Sequence, residues 1–128
     1  MIVVDTSALI AYLNKEKDAA AVEASLAEND ASLISAGTLV ELLIVSQSRG
    51  IAGAARRTIG DFGLDVVPVT EDLALLAGAA HARFGRGNHP AGLNFGDCFA
   101  YALAKARGLP LLYVGGDFAL TDVRSAIA

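Results

Sequence analysis

The chain has 128 residues, 54% hydrophobic and 19% charged, with 13 Gly, three Pro, one Cys and no Trp. That length fits a single domain, 1–128, large enough to bury one core; the lone Cys98 excludes a disulfide framework or a thiolate zinc site and fits a reducing compartment. A formal net charge of −4, from 14 acidic against 10 basic residues, excludes bulk basicity as the draw for a nucleic acid, so any such partner needs a local patch or metal ions.

Met1 to Leu13 is apolar but lacks a cationic start and carries Asp5, which is wrong for a signal peptide. No apolar run approaches the ~20 residues that cross a bilayer, so the expectation is a soluble, cytoplasmic chain with no membrane partner. The high hydrophobic content leans toward a self-association or partner interface.

Along the chain, Ile2-Val3-Val4 is a short β-branched strand, followed by Asp5-Thr6-Ser7 and a helical pattern at Leu9, Ile10 and Leu13. Lys17–Asn29 is Ala-rich helix, and Ala31–Ser35 is a second strand. Thr38 is expected to open an apolar helix that stops near Arg49-Gly50, with Ile51–Phe62 helical after it. Asp65–Val69 is a third strand with Pro68 near its end, and Thr70 caps a long helix with Glu71 and Asp72 in its first turn. Gly85–Gly96 reads as a loop, Asp97–Arg107 as a helix stopped by Gly108, and Leu111–Val114 as a fourth strand. The tail to Ala128 is a candidate edge strand. Short apolar strands without polar alternation, separated by helices, predict an α/β fold: a three-layer α/β/α with a mainly parallel sheet of four to five strands.

In such sheets ligands bind beyond the carboxyl ends of the strands. Asp5 closes the first strand, Glu41 lies near the start of the helix after the second, Asp97 opens the helix leading into the fourth, and Asp117 follows the fourth. Four carboxylates at one sheet edge repel one another, and an oxygen-only set points to Mg²⁺ or Mn²⁺. Such an ion activates water and neutralises a phosphate. Each acid also has a plainer role open to it. Asp5 is a helix cap, Thr38-Leu39-Val40-Glu41 is a capping box, Asp97 complements a helix dipole and Asp117 is a turn residue.

Ile2-Val3-Val4-Asp5-Thr6-Ser7-Ala8-Leu9 resembles the opening of PIN-domain ribonucleases, in particular the VapC toxins of bacterial toxin–antitoxin pairs. Glu41 is similar to that family's second acid, and His89–Ala104, with Asn94-Phe95-Gly96-Asp97-Cys98 inside it, resembles a signature of one VapC branch. Leu111–Phe118 with Thr121-Asp122 resembles the closing motif, although many relatives have another polar residue in place of Gly116. The resemblance implies a PIN-like fold with Asp5, Glu41, Asp97 and Asp117 as catalytic, metal-binding acids, and Thr6, Asn94 and Asp122 as outer participants. It implies Mg²⁺-dependent endonucleolytic hydrolysis of RNA, commonly transfer or ribosomal RNA, a VapB-type antitoxin as partner, and a homodimer.

His81–His89 holds Arg83, Arg86 and both histidines without an acid, so Arg83, Arg86 and His89 are candidate RNA contacts; a solvated helix end is the plain alternative. Arg49, Arg56 and Arg57 form a second basic stretch, for which a solvated face, an antitoxin contact and an RNA contact are all open. Cys98 is expected to be a small buried hydrophobe. A receiver domain needs an Asp ending its third strand, and a dehalogenase-type phosphatase needs Asp at position 7; Val69 and Ser7 stand there instead. The remaining alternative is a catalytically inert PIN-like module that binds RNA or antitoxin.

Overall fold

The computed structural model describes residues 1–127. Its sheet is built from the apolar runs: β1 (Ile2–Val4), β2 (Ser32–Ser35), β3 (Asp65–Val67) and β4 (Leu111–Leu112). All pairings are parallel, in the order β3-β2-β1-β4, with Val3 opposite Leu33 on one side and Leu111 on the other. The helices are α1 (Thr6–Leu13), α2 (Ala19–Glu28), α3 (Ala36–Ser48), α4 (Ala52–Asp61), α5 (Glu71–Phe84) and α6 (Phe95–Arg107).

Strand alternation sorts the core into two halves. Val3, Leu33 and Leu111 face α5 and α6, packing with Ala77, Phe84 and Leu103. Ile2, Val4, Ile34 and Leu112 face the other way, against Leu9, Val22, Leu42 and Ala55 from α1 to α4. The result is the expected three-layer α/β/α arrangement. From β1 the chain steps outward through β2 to β3, then returns to add β4 on the opposite side of β1. That reversal splays the connections apart at the carboxyl ends of β1 and β4, where open α/β sheets form their crevice.

Several boundaries differ from expectation for local reasons. α3 starts at Ala36, because Ser35, still extended at the end of β2, caps it by accepting a bond from Gly37 N at 3.2 Å. α6 starts at Phe95 with Asn94 as cap, shortening the expected loop. β3 stops at Val67 before Pro68, which has no N–H for the ladder. β4 is shorter than Leu111–Val114, since Val114 N donates to Ser7 Oγ at 3.1 Å instead of a strand neighbour. The tail forms only an isolated bridge between Leu111 and Ser125, and Ala128 lies outside the described residues. Among the described residues, no helix is long and apolar enough to cross a membrane.

α1 ends in a Schellman turn: Glu16 N donates to Ala11 O at 2.9 Å and Lys15 N to Tyr12 O at 3.2 Å. The turn puts Lys15 at φ 53, the left-handed region where a Cβ is unfavourable. Lys15→Gly is therefore expected to raise the unfolding free energy by about 1 kcal/mol, read as a higher urea midpoint with unchanged slope.

Candidate functional site

Asp5 follows β1 and caps α1. One carboxylate oxygen, Oδ2, accepts from Ser7 N at 3.0 Å and Ser7 Oγ at 2.6 Å. Ser7 Oγ in turn accepts from Val114 N, so this hydroxyl joins the end of β1 to the end of β4. The other oxygen, Oδ1, is buried with no partner, on a residue only 2% exposed. Asx capping thus uses half of this carboxylate.

The capping box expected at Thr38–Glu41 does not form, because α3 begins two residues before Thr38. Glu41 is therefore free of that duty. It rests against Gly96 in the first turn of α6, where a Cβ would overlap its carboxylate. The positive end of that helix favours an anion there. The capping box of this chain is instead at Asn94–Asp97. Asn94 N donates to Asp97 Oδ2, and Asp97 N to Asn94 Oδ1, both at 2.9 Å. Asn94 thereby fixes the rotamer of Asp97.

Asp5, Glu41 and Asp97 line one open cavity of about 440 Å³, together with Thr6, Ser7 and Val114. Thr6 is buried and donates to Thr38 O at 3.3 Å, holding α1 against α3. Asp117 is exposed after β4 and does not line the cavity, but its charge raises the Asp97 pKa, so it stands within electrostatic reach. Burial pushes the Asp5 carboxyl up to about 7, against the lowering effect of the Ser7 hydrogen bonds, and the charges of Asp97 and Glu41 raise it further. Burial likewise pushes Asp97 up to about 6; the Asn94 N–H and Arg86 oppose this, while Glu41 and Asp117 add to it.

Among the described residues, no three His, Cys, Asp or Glu side chains converge closely enough to enclose an ion as they stand. The acids ring a wider space instead. Three features nevertheless fit a hard divalent cation: an all-oxygen donor set, the unpartnered Asp5 Oδ1, and carboxyls whose ionisation is opposed by burial and mutual repulsion.

Other expected residues fall elsewhere. Asp122 is not brought to the acids; it accepts from Tyr101 Oη and pairs with Lys105 at 3.3 Å and Arg83 at 3.4 Å. Arg83 is thus engaged away from the cavity, with its guanidinium also over the Phe84 ring. His89 folds inward, its Nδ1 accepting from Ala91 N and its ring edge-on to Phe84. Of the basic segment, Arg86 is the residue whose charge lowers the Asp97 pKa. Cys98 is buried, donates Sγ–H to Asn94 O and has its pKa raised to about 11 by burial, as befits an inert hydrophobe.

Four contributors lie outside the expected set. Ser7 has a sequence signal, two residues after Asp5, as does Gly96 beside Asp97. Arg49 lines the cavity at spacing i+8 from Glu41, with Val45 between them on the same helix face. Glu16 also lines it, placed there by the left-handed Lys15, which no residue pattern announces.

Because Asp5 and Asp97 have pKa values above the ordinary 3.8, the folded chain holds these protons more tightly than the unfolded one. Their contribution to metal-free stability is complete below about pH 4 and is lost as pH rises through about 6 to 7. Melting temperatures of chelator-treated protein are expected to fall from about pH 5 to about pH 8. Asp97→Asn flattens this profile and gains about 1–2 kcal/mol at the alkaline end.

The PIN-domain family profile matches residues 2–123. The chain is 50% identical over 129 residues to ribonuclease VapC28 of Mycobacterium tuberculosis, spanning 98% of this chain and 97% of the relative. It is 43% identical over 124 residues to a ribonuclease VapC of Mycolicibacterium smegmatis, spanning 94% and 96%. The same fold recurs in the crystal structure of Mycobacterium tuberculosis VapC20, a sarcin–ricin-loop-cleaving toxin, with TM-score 0.79, 20% identity and 100% of both chains covered. It recurs also in a toxin–antitoxin complex from Klebsiella pneumoniae, with TM-score 0.72, 20% identity and coverage of 95% and 93%. The end-to-end matches and the switch-point cavity agree: the chain belongs to the PIN-domain family and, within it, to the VapC group.

Proposed function

We propose that this chain is the endoribonuclease toxin of a toxin–antitoxin pair, hydrolysing RNA phosphodiester bonds at the cavity of Asp5, Glu41 and Asp97. One observation carries the reading: carboxylates from three distant segments line a single cavity, and a buried oxygen among them, Asp5 Oδ1, has no protein partner. A solely structural cluster would leave that oxygen costly and idle. Close relatives that carry the name ribonuclease over nearly their whole length support the same reaction class.

The proposed cofactor is Mg²⁺, with Mn²⁺ as its substitute, held by Asp5, Glu41 and Asp97 with Asp117 at the margin. Bound there, it would supply an acidified water and offset the charge of the phosphodiester. The protein's own groups prepare that place. Ser7 orients Asp5, and the Asn94 backbone N–H, donating to Asp97 Oδ2, orients Asp97, so neither carboxylate must be ordered during binding. Gly96 leaves room for Glu41 beside them. Arg86, close enough to stabilise ionised Asp97, offers a phosphate a cationic neighbour.

Transfer or ribosomal RNA is the proposed substrate, and a VapB-type antitoxin the proposed inhibitor. Large apolar side chains left exposed on the helices support the antitoxin and homodimer parts of the proposal. They include Val40 and Ile44 on α3, Leu75 on α5 and Phe95 on α6, exposed by 55%, 61%, 66% and 79%.

Purified chain incubated with transfer and ribosomal RNA is expected to cut in Mg²⁺ or Mn²⁺ and to stop on chelation. Asp97→Asn is expected to lower cleavage by more than about a hundredfold while its circular dichroism stays native. Cleavage that survives chelator, or an Asp97→Asn protein of full activity, overturns the metal-dependent reading. RNA bound by the wild type but never cut favours the inert module. Gly96→Ala provides a milder test: the new methyl displaces the flexible end of Glu41, lowering cleavage by about ten- to a hundredfold without unfolding the chain.

A further inference from the structure

Arg49 caps the carboxyl end of α3 and lines the same cavity as the acids. Glu41, Val45 and Arg49 are spaced by four residues, so one stripe of α3 presents an acid, an apolar residue and a cation to the cavity in turn. Two helical turns separate the Glu41 and Arg49 backbones, about 12 Å along the axis. Arg49 thus enters the cavity from a backbone position two turns beyond that of Glu41. No acidic oxygen lies within ion-pair distance of Arg49 among the described residues. By contrast, Arg83 is already committed to Asp122, and Arg56 and Arg57 do not line the cavity.

A strand of RNA presents one phosphodiester to the acids and others on each side of it. The acids repel those flanking phosphates, and a bidentate guanidinium is the group suited to hold one. We propose that Arg49 forms a subsite for a phosphodiester flanking the one being cut, gripping the strand on the α3 side of the cavity. Arg49 then contributes binding and register, while Asp5, Glu41 and Asp97 serve the reacting bond. This inference rests on the ribonuclease reading and adds to it the direction in which the strand leaves the acids. A cation at this position also complements the α3 dipole, an effect that belongs to stability and not to RNA.

The test compares wild type, Arg49→Gln and Arg49→Lys on transfer and ribosomal RNA and on a labelled single-stranded fragment carrying the site that the wild type cuts in them. Binding is read by fluorescence anisotropy over a salt series, in an Asp97→Asn background so that the strand stays intact; cleavage kinetics are read in the active background. Loss of one phosphate contact is expected to make the log affinity against log salt slope shallower by about 0.7 for Arg49→Gln. KM rises about tenfold with kcat within about twofold, and Arg49→Lys restores most of the slope. Urea midpoints measured alongside separate this from loss of the helix-end charge, which moves stability but not the salt slope. An unchanged slope and KM in Arg49→Gln, in a chain that still cuts RNA, overturns the Arg49 subsite alone. A chain that neither binds nor cuts RNA with Arg49 intact overturns the ribonuclease reading and the subsite together.

Discussion

The Asp5 carboxylate is anchored on one side and exposed to an energetic deficit on the other, and the local structure is arranged around that imbalance. Ser7 satisfies Oδ2 and then spends its own lone pair on Val114 N, which detaches β4 from the sheet after only two residues. The detachment opens the crevice between the carboxyl ends of β1 and β4. Oδ1 gains nothing from this arrangement and stays buried without a partner. Adding Asp97 and Glu41 nearby deepens the deficit, since each charge opposes the next. Two apolar half-cores, one on each face of the sheet, hold this unfavourable cluster in place.

Helix capping and ligand holding are often set against each other as explanations for an acid at a helix start. Here one carboxylate has the means for both, because it has two oxygens and capping occupies only one. Asp5 caps α1 with Oδ2, and Asp97 closes its capping box with Oδ2. In each case the structural bond immobilises the side chain and leaves the second oxygen for other use. Capping is thus the means by which the site is kept rigid before anything binds.

Much of this is legible in the residues. The apolar runs announce the parallel strands, and the rule that parallel sheets bind at their carboxyl edge gathers Asp5, Glu41 and Asp97 before any coordinates are known. Boundaries are less legible, because Ser35 and Thr38 are equally good caps by type; only the extended backbone at the end of β2 selects Ser35. Side-chain commitments are least legible. Arg83, Arg86 and His89 look alike as a basic segment, yet Asp122 draws off the first and Phe84 the last. Glu16 reaches the cavity through a left-handed lysine, a conformation that the residue type argues against. Arg49, in contrast, follows from a four-residue spacing that becomes meaningful once Glu41 is known to face the cavity.

The double duty of Ser35, last residue of β2 and cap of α3, leaves no slack between sheet and helix. Glu41 is therefore indexed to the strand by a fixed count of helical residues. Adding or removing one residue between Ser35 and Glu41 would turn the carboxylate by about 100° around the helix axis. In this segment the spacing of residues is as much a part of the site as their chemistry, because a single-codon shift in length turns Glu41 away while a substitution leaves its register unchanged.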